Sequence, residues 1–148
     1  MPNLPITLEE IDALLRFLPL FDVPGRSFAR WTQPRTTESG ALVGPYPQYP
    51  DDVQAFYRLA GSGCWQDFAY SPKRSHEMLA DPQRIRTATL LELRSMLTYC
   101  VRSERFGDGS WEHWLREGYI VALLKRLHVL RETFGTDPQS QGARRTQL

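Results

Sequence analysis

Arg102 and Arg105 stand three residues apart, a spacing that puts two guanidinium groups on one face of a helix. They are followed at once by a Gly107-Asp108-Gly109 turn and by Ser110, a residue type suited to capping a helix. Those are the parts of an anion site. A helix N-terminus offers free N–H groups and the positive end of its dipole, and arginine adds a planar fork that fits phosphate or carboxylate. Gly109 lets the backbone turn sharply towards Ser110. The same residues also have a structural reading. Glu104 and Asp108 would partly cancel the positive field, and pairing with them would pin both arginines at an inter-helix corner. Alanine at Arg102 or Arg105 separates the two: loss of ligand with the fold intact speaks for a site, strong destabilisation for a corner.

Other chemistry is sparser. His113 follows the turn, close in sequence to Glu112 and Glu117, and with Asp108 it is the candidate for proton transfer. Asp67 lies in an aromatic stretch and reads as a hydrogen-bonded structural aspartate. There is no HExxH, CxxC or His/Asp run, so no metal and no cofactor is expected. Neither phosphate-loop fingerprint is present. Ser62 sits in Gly61-Ser62-Gly63 but lacks the surrounding GxSxG, and Cys64 and Cys100 have no basic neighbour to activate a thiolate. Lys125, Arg126 and Arg131 would reach phosphates from a last helix, although an ordinary charged outer face is the reading preferred.

The whole chain sets the frame. It has 148 residues, a net charge of +1, 41% hydrophobic and 24% charged residues, which suits one domain with its own core and no field that draws in nucleic acid or anionic membrane. Two cysteines are too few for a disulfide framework and point to reduced, buried thiols in the cytoplasm. The start has no secretory signature, and no apolar run approaches a membrane span.

Periodicity then places the elements. Leu8, Ile11, Leu14, Leu15 and Leu18 predict a first helix, opened by a Thr7/Glu10 capping box with Ile6 stapled to Ile11. Short strands are expected near Arg26–Gln33 and Ala41–Val43, with Pro34 to Gly40 as exposed loop between them. The Pro45–Pro50 run must be extended. Asp51 or Asp52 caps a second helix ending at Leu59, and Trp65 to Tyr70 reads as extended. Ser71 to Arg84 is a polar connection with a short helix at Ser75–Leu79. Thr89 and Glu92 form another capping box, opening a helix to Arg102 or Glu104. Ser110 to Glu117 is a short helix, Tyr119 to Phe134 a long one, and Gly135 its stop. Residues 136–148 lack apolar periodicity and are expected to be a disordered tail beyond a domain at 1–135.

Four segments together carry a resemblance: Trp65-x-Asp67-Phe-x-Tyr70, Leu90 to Leu97, Arg102-x-x-Arg105-Phe106-x-x-Gly109, and Gly118-x-Ile120-x-x-Leu123-Leu124-x-Arg126-Leu127. With the first helix from Leu14 to Leu20, they resemble an uncharacterised prokaryotic family, one of the domains of unknown function. The resemblance implies no activity. It implies that Arg102, Arg105, Phe106, Gly109 and Arg126 belong to the family pattern.

The sequence thus predicts a mainly α fold, with α+β as the alternative: one domain of about five helices, with two or three short strands between Phe28 and Tyr70. The leading functional expectation is a small cytoplasmic binding or regulatory module. Its anion-binding or protein-facing corner runs from Arg102 to Ser110, with Arg102, Arg105, Gly109, Ser110 and Arg126 as ligand-binding residues. The partner would be a protein or a phosphate-bearing ligand, with no membrane. The alternatives are an enzyme acting on a phosphate-bearing substrate, with Arg102 and Arg105 as clamps, and, less favoured, a nucleic-acid-binding protein.

Overall fold

A computed structural model describes residues 4–134; the expected stop at Gly135 and the tail from 136 to 148 lie outside the described residues. The chain is mainly helical, with short antiparallel strands. The first helix, α1 (Leu8–Leu15), starts where the Thr7 hydroxyl accepts the Glu10 N–H at 3.2 Å. Only that half of the expected box forms. The helix also ends before Leu18. The chain restarts as one turn, α2 (Leu18–Phe21), with Pro19 in a first-turn position where a missing N–H costs nothing.

Next comes an arm of four two-residue strands: β1 (Arg30–Trp31), β2 (Arg35–Thr36), β3 (Leu42–Val43) and β4 (Pro47–Gln48). β1 pairs with β4, and β2 with β3, both antiparallel. Arg35–Thr36 falls in the stretch expected to be loop. Strands this short carry no alternation for the eye to find. Pro47, which cannot donate, sits in a two-stranded ladder, where half of its backbone faces outward anyway.

Asp51 and Asp52 do not cap α3 (Asp51–Ala60). Pro50 holds the N-cap position, and Asp52 accepts two bonds of 2.8 Å from the Arg26 guanidinium instead. Trp65 to Tyr70 forms no strand, although the backbone at Gln66 is extended as expected. A single 3₁₀ turn at Gly63–Trp65 buries Trp65, and Thr98 fastens the backbone there, donating to Trp65 O at 3.1 Å and accepting the Asp67 N–H at 3.0 Å. Asp67 is structural: its carboxylate accepts the Ala69 N–H and the Ser95 hydroxyl.

The polar connection holds two helices, α4 (Pro72–Leu79) and α5 (Pro82–Arg86), each with proline in its first turn. The Ser71 hydroxyl caps the first and the Asp81 carboxylate the second. Then α6 (Leu90–Ser103) opens with the complete Thr89/Glu92 box. The last two helices are α7 (Ser110–Arg116) and α8 (Tyr119–Phe134), hinged at Gly118 with φ +84°.

One core joins these pieces. α4 lies on α6, α1 on α8, and α7 packs against both α6 and α8. Phe56, Tyr57, Trp65, Met96, Ile120 and Leu124 are among its fully buried side chains, each contributing on the order of 1.5–3 kcal/mol through burial. Among the described residues no helix is long and apolar enough to cross a membrane.

Candidate functional site

Two tryptophans build the α6–α7 corner. The last carbonyls of α6 have no helical partner and must find one elsewhere. Val101 O accepts the Trp111 indole N–H at 3.0 Å, and Cys100 O accepts the Ser103 hydroxyl at 2.6 Å. The Ser103 oxygen in turn accepts the Trp114 indole N–H at 2.8 Å. Trp111 also stacks on Tyr57, with ring centroids 4.4 Å apart.

The helix start is capped differently from the expectation. Gly109, with φ +94°, is the N-cap of α7; Ser110 is its first residue and donates its hydroxyl to Gly107 O at 2.8 Å. A side chain on Gly109 would meet Trp31: its Cβ would lie 2.6 Å from that ring. The cap is Glu104. Its carboxylate accepts the Gly109 N–H at 3.1 Å, the Trp111 N–H at 2.9 Å and the Tyr49 hydroxyl at 2.9 Å. Burial, and then the bond to Glu104, push the Tyr49 phenol well above its ordinary pKa. Glu104 thus engages the N–H groups of Gly109 and Trp111, and the Ser110 N–H donates to Gly107 O at 3.2 Å, so an outside anion would have to compete with the chain's own acceptors there.

Arg102 points to a different place, a cleft of about 540 Å³ beside the corner. Four aromatic residues line it, Tyr70, Tyr99, Phe106 and Trp114, with Ser103 and Ser110 as hydroxyls. The Arg102 guanidinium lies over the Tyr70 ring, 5.0 Å from its centroid, and forms no ion pair among the described residues. Behind the cleft, the Tyr99 hydroxyl is 3.2 Å from His76 Nδ1. Phe106 is 89% exposed at the outer edge.

The sequence-predicted residues thus separate. Arg102 and Ser110 share the cleft, and Gly109 lies under Trp31. Arg105 and Asp108 are exposed. His113 is exposed with its ring against Trp114, centroids 4.9 Å apart. Arg126 is elsewhere: its Nε donates to Ala88 O at 2.9 Å, and it lines a groove between α5 and α8. Lys125 and Arg131 pair with Asp22 at 3.5 Å and Asp12 at 2.8 Å. Tyr99 and His76 were not singled out by the sequence, and Tyr70 entered only within the family resemblance, with no role attached. Tyr99 and Arg102 are one helical turn apart, which was a usable signal; Tyr70 arrives from a distant loop and left none.

Both cysteines are buried thiols. Burial pushes Cys64 up to about 11, with Glu10 adding to the effect, and raises Cys100 further. Neither is poised as a nucleophile. Among the described residues, no group of three or more His, Cys, Asp or Glu side chains could hold a metal ion.

Fold and site together define a small helical domain with one core, an aromatic cleft and a corner closed by its own carboxylate. Residues 6–133 match the model of a family of unknown function, DUF6508, and the chain belongs to that family. No curated protein and no solved structure matches it.

Proposed function

We propose that this domain is a binding module whose site is the aromatic cleft at Arg102, and that it takes a planar ring carrying an anionic group. The observation that carries this reading is the state of Arg102. Its guanidinium lies over the Tyr70 ring, 5.0 Å from the centroid, and lines the cleft, with no ion pair to a carboxylate of the described residues. A cation placed that way supplies charge-assisted hydrogen bonds to an incoming anion, while the ring walls supply stacking. The volume falls within the range of small-molecule sites. The anion is met by the side chain of Arg102 rather than by the start of α7, which Glu104 already fills.

Phenyl phosphate tests the reading, with phenol and inorganic phosphate as its separated halves. Phenyl phosphate should raise the melting temperature saturably, since a ligand preferring the folded state stabilises it by RT ln(1 + [L]/Kd). Each half alone should do far less, and Arg102→Ala should remove the shift. Release of inorganic phosphate during the titration would favour an enzyme instead. A shift that survives Arg102→Ala would refute the site.

A second reading rests on Phe106. An aromatic ring this exposed at a loop tip is an anchor for a protein partner. In that reading the partner covers the cleft, and Phe106→Ala, not Arg102→Ala, would be the variant that loses it.

A further inference from the structure

A second cavity, of about 560 Å³, lies between α5 and α8, away from the corner. Its lining is largely apolar: Leu79, Ile85, Ala122 and Val129, with Val129 half exposed. Three cations and one carboxylate also line it, namely Arg86, Lys125, Arg126 and Glu117. Their pairings decide what the groove lacks. Glu117 is taken by Arg116 at 3.1 Å, and Lys125 by Asp22 at 3.5 Å. The two arginines meet only neutral acceptors among the described residues. Arg86 donates to the Gln83 side-chain oxygen at 2.8 Å, and Arg126 to Ala88 O at 2.9 Å through Nε alone. A guanidinium has five N–H donors, so most of the donors of both arginines remain available.

From this arrangement we infer that the α5–α8 groove is a binding site for an amphiphilic anion: an apolar chain ending in a single carboxylate. The chain covers the apolar lining, and the carboxylate meets the forks of Arg86 and Arg126. A carboxylate head matches the planar guanidinium fork, two oxygens to two N–H groups. The site shares no lining residue with the Arg102 cleft, so it stands or falls independently of that reading.

Titration of the full chain with decanoate, kept below its micellar concentration and followed by calorimetry, tests the inference. Saturable binding of one decanoate per chain is expected. Decanol should bind at least tenfold more weakly. Arg86→Gln should weaken decanoate at least fivefold; that side chain is exposed and its hydrogen bond among the described residues is to Gln83, one turn away, so the fold is little affected. Ala122→Trp, which fills the groove, should abolish binding, with retained cooperative unfolding showing the domain intact. Arg102→Ala should leave decanoate affinity unchanged. The inference is overturned if decanoate does not saturate, if decanol binds equally well, or if Arg86→Gln has no effect.

Discussion

Arg26 and Arg102 rest on aromatic rings in the same way and differ in everything else. Arg26 lies 5.0 Å from the Phe28 centroid and 5.8 Å from that of Phe21; Arg102 lies 5.0 Å from that of Tyr70. Around Arg26 the chain has filled the fork: Asp52 accepts two bonds of 2.8 Å and Leu20 O a third at 2.7 Å. Around Arg102 no carboxylate of the described residues does so. The difference teaches how to read an arginine in this fold. One whose fork is closed by the chain ties α3 to the segment after α2. One left open at a cleft is available to something else.

The largest expected effect comes from the group that makes the contrast possible at the corner. Glu104 accepts two backbone N–H groups and the Tyr49 hydroxyl. Glu104→Ala leaves all three without that acceptor and should destabilise by about 3 kcal/mol, since each orphaned donor costs on the order of 1–3 kcal/mol and water recovers part of it. Glu104→Gln keeps one acceptor oxygen and should cost about half as much. Chemical denaturation measures both. If Glu104→Ala is neutral, α7 is not capped from α6, and its start returns as an anion site.

A smaller effect is expected at Arg26. Arg26→Ala should cost about 2 kcal/mol, the scale of hydrogen bonds to charged groups reduced by partial exposure. The pair also gives a pH signature. The Arg26 guanidinium holds the Asp52 carboxyl below its ordinary value of 3.8, and Arg131 does the same for Asp12. A carboxyl depressed in the folded state contributes stability that is complete above the unfolded value and is lost as pH falls through the folded one. Wild-type stability should therefore decline below about pH 4, and the decline should be shallower in Asp52→Asn. An equal slope in both would remove this pair from the acid response.

These contrasts also mark what the sequence could reveal. The Thr89/Glu92 box and the stripe on α8 were legible because cap and helix lie within one or two turns of each other. The Glu104 cap was not, since its donors lie five and seven residues on, across a turn whose path only the fold defines. Ser71-Pro72 and Asp81-Pro82 were readable starts for α4 and α5, because a capping residue before proline marks a helix entry. Missing α5 hid the groove that Arg126 lines. Tyr70 met Arg102 only through tertiary packing, so the spacing of Arg102 and Arg105 could point to the Arg102–Ser110 stretch but not to the ring that faces Arg102 across the cleft.

The smallest effect on stability should come from Arg102 itself, and there the comparison with Arg26 is sharpest. Its resolved contact is the Tyr70 ring, and a cation over a ring at a partly exposed site contributes about 0.5–1 kcal/mol. Arg102→Ala should therefore cost less than about 1 kcal/mol, well under Arg26→Ala. Arg105, exposed and without an ion pair among the described residues, should cost less still on replacement. Arg102→Lys adds a finer test. Lysine keeps the positive charge and can still sit over Tyr70, so stability should be almost unchanged. It loses the planar fork that grips two oxygens at once, so affinity for phenyl phosphate should fall between wild type and Arg102→Ala. A lysine variant that binds as tightly as wild type would show that only charge matters in the cleft. A large loss of stability in either variant would show that the fork of Arg102 is closed in the folded protein, and that the two arginines are alike after all.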